Sequence, residues 1–114
     1  MYHFLQQNKA KQVKKMCIVF VEYRIEEACR NKYLEWSDGI RRQYQQLELY
    51  EGTDQPNLFV EIWNGLSEEE YHSMKQARAG AEAAEDDSNL WKPLDHWIKG
   101  GRAKLHIWHF KKVE

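Results

Sequence analysis

The sequence predicts an α+β fold in which a four-stranded antiparallel sheet carries helices on one face. Three observations predict it. Short segments alternate apolar and polar residues with the period of a strand, longer ones between them repeat with the period of a helix, and their order is strand, helix, strand, strand, helix, short helix, strand. A chain of 114 residues is the size of one domain and can close a single core without staples.

The first strand starts after Met16 and places Cys17, Val19, Val21 and Tyr23 on one face, with Ile18, Phe20 and Glu22 on the other. A helix follows, with Cys29, Tyr33, Trp36, Ile40 and Tyr44 on one stripe and Glu35, Arg41 and Arg42 outside it. Gly39 within that stripe predicts a bend or a close approach of helix to sheet. Leu47 to Glu51 is a short strand. The turn formers from Gly52 to Asn57 lead into a third strand, Leu58 to Trp63, so the pair reads as a hairpin.

The second helix has the clearest start. Ser67 with Glu70 three residues on is a capping box, Leu66 can staple onto Tyr71, and Glu68, Glu69 and Glu70 suit the positive end of the helix dipole. Its buried stripe reads Tyr71, Met74, Ala77 or Arg78, and Ala81, after which Ala79 to Ser88 is a fraying end or a surface loop. A short third helix is predicted from Asn89 to Lys99, with Leu90, Leu94, Trp97 and Ile98 inward and Gly100-Gly101 as its stop. Ala103 to Phe110 is the last strand, with Leu105, Ile107 and His109 facing one way and His106, Trp108 and Phe110 the other.

This order is the ferredoxin-like β-α-β-β-α-β pattern. A sheet with one face in water alternates apolar and polar residues, yet the first, third and last strands are apolar on both faces. Two helices cover one face. The other is expected to pack on the same face of a second copy, a closed two-fold homodimer.

Fifteen aromatic residues exclude a disordered chain, and a net charge of −1 excludes the strong basic footprint of a nucleic-acid binder. An RNA-recognition domain shares the element order, but the third strand lacks the glycine–aromatic–glycine opening of its RNA-binding segment and lies in acidic surroundings. Two cysteines, Cys17 and Cys29, are too few for a disulfide framework and are expected to be reduced thiols in a cytoplasmic protein. Residues 1–15 hold four lysines and no acid and read as a basic N-terminal extension, ahead of a domain over 16–114, with Met16 an alternative start. The apolar run after it meets Glu22 and Arg24 too soon for a membrane span or a signal peptide.

The turn with Pro56, the strand Phe59-Val60-Glu61-Ile62-Trp63 and the acidic helix opening Ser67-Glu68-Glu69-Glu70-Tyr71 resemble the third strand and second helix of the dimeric α/β-barrel superfamily, in particular antibiotic-biosynthesis-monooxygenase-like (ABM-like) domains. The resemblance covers residues 16–114 in element order and about 57–72 in motif. It implies two sheets packed into a barrel and an apolar pocket between sheet and helices. Members include cofactor-free oxygenases acting on aromatic polyketides or quinols, haem-degrading enzymes and small proteins with no established activity. The family often places a pocket histidine on the second helix. Counting from Trp63 gives His72, whereas aligning on the Ser67 cap gives a position near Met74, because the connection from Asn64 to Ser67 is longer here.

The expected function is thus binding of an apolar or aromatic small molecule, with cofactor-independent oxygenation as its enzymatic form. The alternative is a non-enzymatic dimeric protein holding a metabolite or haem. Trp63, Trp108 and Trp36 are the candidate ligand-binding rings, and Asn64, Tyr71 and His72 the polar groups to orient a ligand or move a proton. Each ring also fits ordinary core packing, and His72 also fits a surface position. Haem would need an axial ligand from His72, His106 or His109. No metal site is expected, since His106 and His109, three apart on a strand, point to opposite faces.

Overall fold

The computed structural model describes residues 16–81 and 85–114; the predicted basic extension, residues 1–15, lies outside the described residues. The chain folds as β1 (Cys17–Arg24), α1 (Arg30–Gln43), β2 (Leu47–Glu51), β3 (Leu58–Asn64), α2 (Glu68–Ala79), α3 (Leu94–Trp97) and β4 (His106–Lys111), with 3₁₀ turns at Glu27–Cys29 and Arg102–Lys104. The four strands form one sheet in the order β2-β3-β1-β4, and every neighbouring pair is antiparallel. This is the α+β, ferredoxin-like arrangement expected from the sequence.

Register explains which side chains meet. Val21 pairs with Glu61 on one side and with Ile107 on the other, and Tyr23 pairs with Phe59. The odd-numbered residues of β1 and β3 therefore share one face, where Val19, Val21, Tyr23, Phe59 and Trp63 are buried under the helices. α1 adds Tyr33 and Ile40 to this core, with Trp36 and Tyr44 half-buried beside them. Full burial of each large apolar side chain contributes about 1.5–3 kcal/mol, so this one face carries most of the driving force for folding.

Three local readings are corrected. Gly39 does not mark a close approach of α1 to the sheet: the helix runs through it unbroken, and an added Cβ would meet nothing within 4 Å. The third helix is one turn, Leu94–Trp97, because the chain from Asn89 to Pro93 is taken up by turns and Leu90 stays exposed. β4 begins at His106 instead of Ala103, since Gly101 at φ 77° starts a 3₁₀ turn through Lys104. The capping box of α2 is present in full. Glu70 N–H donates to Ser67 Oγ at 3.1 Å, and Ser67 N–H donates to Glu70 Oε1 at 3.0 Å. Ala81 of the predicted stripe lies beyond the helix and is exposed.

Among the described residues, nothing covers the second face of the sheet. Phe20 stacks on Trp108 at a ring separation of 5.8 Å and meets Phe110 edge-on at 6.1 Å. Trp108, Phe110 and Tyr50 remain 45%, 49% and 53% exposed, far more ring surface than a sheet face in water normally shows. Among the described residues no helix is long and apolar enough to cross a membrane.

Candidate functional site

Between the sheet and α2 lies a cleft of about 340 Å³, within the range of small-molecule sites. Trp63 from β3, Tyr44 from the end of α1, and Leu66 and Met74 from the α2 region form its apolar walls. Gln46, Glu69, Glu70 and Ser73 supply polar groups. The Trp63 and Tyr44 rings meet at 5.3 Å, steeply inclined, so the cleft has an aromatic corner.

Trp63 is held from behind by a buried polar network. Its indole Nε1–H donates to Glu61 Oε1 at 2.8 Å. The Glu61 carboxylate also takes two parallel bonds from Arg78, Nη1 to Oε1 at 2.7 Å and Nη2 to Oε2 at 2.9 Å. Tyr23 donates its hydroxyl proton to Glu61 Oε2, and the Tyr23 and Tyr33 hydroxyls bond to each other at 2.7 Å. Arg78 lies over the face of Trp91, 4.1 Å from the ring centre. Both members of the ion pair are almost fully buried, Glu61 at 2% and Arg78 at 2% exposure.

A buried charge needs this many partners. Burial by itself pushes the Glu61 carboxyl up. The Arg78 charge, with hydrogen bonds from Arg78, Tyr23 and Trp63, outweighs burial and holds it below its ordinary value. The Tyr23 phenol is pushed far up, first by burial and then by the Glu61 charge, and the Tyr33 phenol is pushed up for the same two reasons. The network therefore stays as carboxylate, guanidinium and two neutral phenols through neutral pH, and it works as a rigid frame.

Of the residues singled out from sequence, Tyr71 and Trp108 line one cleft of about 590 Å³ with Glu68, His109 and Phe110, and the others lie apart from it. Trp63 lines the cleft with Tyr44, and Trp36 is half-buried in the ring cluster behind it, 5.7 Å from Trp91 and 6.2 Å from Tyr33. Trp108 lies on the opposite face of the sheet, so it shares no cavity wall with Trp63. His72 stands in solvent, its Nε2 3.7 Å from Glu68 Oε1. Asn64, at the end of β3, donates from its side-chain amide to Glu48 Oε1 at 2.7 Å. Tyr71 stacks on His109 at 5.3 Å and donates its hydroxyl to the Ile107 carbonyl at 3.4 Å. The structure thus brings none of Asn64, Tyr71 and His72 to the lining of the Trp63 cleft.

Sequence reasoning passed over Glu61, and it left Arg78 undecided against Ala77. The signal was present. Glu61 falls on the same face as Phe59 and Trp63, which makes it a carboxylate inside the core, and a buried carboxylate needs a cation from the element packed above it. His106 and His109 sit on opposite faces as expected, and the described residues contain no group of three or more His, Cys, Asp or Glu placed to hold a metal ion.

No protein-family model and no curated protein matches the chain. Solved structures do. An antibiotic biosynthesis monooxygenase aligns with a TM-score of 0.64 at 12% identity, over 87% of this chain and 100% of that one. A protein of Deinococcus radiodurans assigned as an antibiotic biosynthesis monooxygenase aligns with a TM-score of 0.62 at 14% identity, over 87% and 94% of the two chains. A conserved protein of Methanosarcina mazei Go1 aligns with a TM-score of 0.63 at 8% identity, over 90% and 98%. At such identities the likeness is one of fold: the chain has the ferredoxin-like α+β fold of the antibiotic biosynthesis monooxygenase structures.

Proposed function

We propose that this chain is an ABM-like domain that binds an apolar or aromatic small molecule in the cleft between Trp63 and α2. One observation carries the reading: a two-ring corner, Trp63 and Tyr44, opens on a cleft of about 340 Å³ and is backed by a charged network that fixes the indole. A flat ligand gains stacking and burial there at little cost in ordering the protein, because the wall is already rigid. The polar rim of Gln46, Ser73, Glu69 and Glu70 selects orientation.

The test uses 1,4-naphthohydroquinone and anthrone, titrated under nitrogen against tryptophan fluorescence. Ser73 is exposed and lines the cleft, so Ser73→Trp places a ring across it without disturbing the core. Binding that weakens about tenfold or more in this variant supports the reading; equal binding overturns it.

Cofactor-independent oxygenation is a second reading, favoured by the two carboxylates at the rim of an apolar wall. Glu69 or Glu70 would take the phenolic proton, and the resulting anion would meet oxygen against the apolar wall of Trp63, Leu66 and Met74. Oxygen uptake that depends on the hydroquinone and falls in Glu69→Gln or Glu70→Gln supports it. Binding without uptake leaves the non-enzymatic form. Haem does not fit this cleft as described, since among the described residues no histidine lines it: His72 is in solvent, His106 stacks on Trp108 on the other face, and His109 Nε2 is engaged at 3.0 Å with the Leu66 carbonyl. An unchanged Soret band on haem titration is the expected result.

The domain is further proposed to work as a homodimer closed over the open sheet face, which the exposed rings Phe110, Trp108 and Tyr50 support. A cytoplasmic location accords with Cys17 and Cys29, both free thiols.

A further inference from the structure

We propose a second binding site, at the end of the sheet away from the Trp63 cleft, for a small aromatic acid that carries a hydroxyl group. A pocket of about 380 Å³ opens there, lined by Lys99, Lys104, Arg24, Glu22, Leu58 and His106 among others. Three formal cations face one carboxylate, so the pocket favours an anion.

The cations stand on a fixed backbone. Lys99 N–H donates to the Arg24 carbonyl at 2.8 Å, next to the bridge between Ile25 and Ile98, and Gly101 N–H donates to the Ile98 carbonyl at 2.9 Å. Gly100 and Gly101 are both left-handed, at φ 84° and 77°. A Cβ on Gly100 would stand 2.7 Å from Lys104 Cγ, so the glycine is what leaves room for the Lys104 stem. The third cation of this loop turns away from the pocket. Arg102 donates to the Arg78 carbonyl at 2.8 Å and lies 3.6 Å from Asp95. Lys99 and Lys104 form no ion pair among the described residues. Both line the pocket.

The remaining lining sets the rest of the ligand. Leu58 and the His106 ring, stacked on Trp108 at 5.5 Å and 11°, give an apolar patch and a flat wall. Arg24 already donates to Gln55 Oε1 and the Pro56 carbonyl, which leaves the lysines as the groups to meet the anion. Glu22 pairs across the strands with His106, and as a carboxylate it accepts from a hydroxyl and repels a dense dianion. An aromatic carboxylate with a hydroxyl satisfies all of these groups at once. All of the lining named here comes from one chain, and the inference does not rest on the Trp63 cleft; Glu22, Leu58 and His106 stand on the open sheet face, so a second copy closed over that face would border this pocket, and the titrations are read together with the mass by light scattering.

Calorimetric titration of the full chain with 4-hydroxybenzoate, benzoate, 4-hydroxybenzyl alcohol and phenyl phosphate tests it, against Lys99→Gln/Lys104→Gln and Glu22→Gln. All three positions lie at the sheet end outside the core, and an unchanged melting temperature verifies the fold. Expected are preferred binding of 4-hydroxybenzoate, a loss of about tenfold or more in the double lysine variant, and a smaller preference over benzoate in Glu22→Gln. Absence of binding, equal binding of the neutral alcohol, or tighter binding of phenyl phosphate overturns the assignment. So does binding that ignores the lysines and disappears in Ser73→Trp, which would put the acid in the Trp63 cleft.

Discussion

Glu61 and Arg78 form a two-pronged ion pair inside the core, with N···O distances of 2.7 and 2.9 Å, and it ties β3 to the last turn of α2. Desolvating two charges costs several kcal/mol, and the pair persists because Arg78, Tyr23 and Trp63 all donate to the same carboxylate.

Removing one partner leaves the other charge buried and unpaired. Arg78→Met is expected to destabilise the domain by about 3–5 kcal/mol. The double variant Glu61→Leu/Arg78→Met should lose less than the sum of the single variants, because the two side chains act as a unit. Urea denaturation of the parent, Glu61→Leu, Arg78→Met and the double variant measures both, and additive losses would show that the pair is not coupled.

The two phenols predict how stability falls in alkali. Folded Tyr23 and Tyr33 hold their protons above the ordinary range, so their contribution is complete below about pH 10, where an unfolded tyrosine titrates, and is lost as pH rises beyond it. Each such group steepens the loss by about 1.4 kcal/mol per pH unit. Tyr33→Phe keeps the ring and removes one titration, so its stability curve above pH 10 should be flatter than that of the parent; parallel curves would contradict the assignment.

On the surface, Glu51 accepts from Arg30 Nη2 at 2.8 Å and from the Asn57 backbone N–H at 2.8 Å, and its pKa is lowered to about 2 by the Arg30 bond first and the Asn57 bond second. A depressed carboxyl stabilises the fold above its unfolded value, and the effect is lost as pH falls toward the folded one. In Arg30→Met the Glu51 carboxyl, followed by carbon-13 shifts during an acid titration, should move back up toward the ordinary range. A pKa still near 2 would assign the shift to Asn57 alone.

The open sheet face gives the prediction for assembly. Trp108 is 45% exposed and stacks on Phe20, and a charge placed there adds nothing unfavourable to a free face but is costly inside a dimer. Trp108→Glu is therefore expected to change the mass by light scattering from two chains to one. A parent protein that is already a single chain, or a variant that stays double, would remove the dimer reading.

Much of the architecture was legible because it is local. Alternation placed four strands, Ser67 and Glu70 announced the start of α2, and the double apolarity of β1, β3 and β4 marked two faces that both need cover. Elements with weak local signals were misread: Pro93 and Leu90 looked helical, but the chain there packs as turns and leaves one helical turn at Leu94–Trp97.

What the sequence by itself determined is the order of elements, the two-sided sheet and the placement of rings on alternating faces, since period and capping act between near neighbours. What only the tertiary structure decided is which distant side chains meet. Arg78 reaches Glu61 across 17 positions, Tyr23 bonds to the same carboxylate from another strand, and Trp63 and Trp108 part to opposite faces. His72, Asn64 and Tyr71 lie close in sequence yet point to different surroundings. The physical reason is that a strand alternates, a helix turns by a hundred degrees per residue, and the sheet register alone sets which of these directions converge.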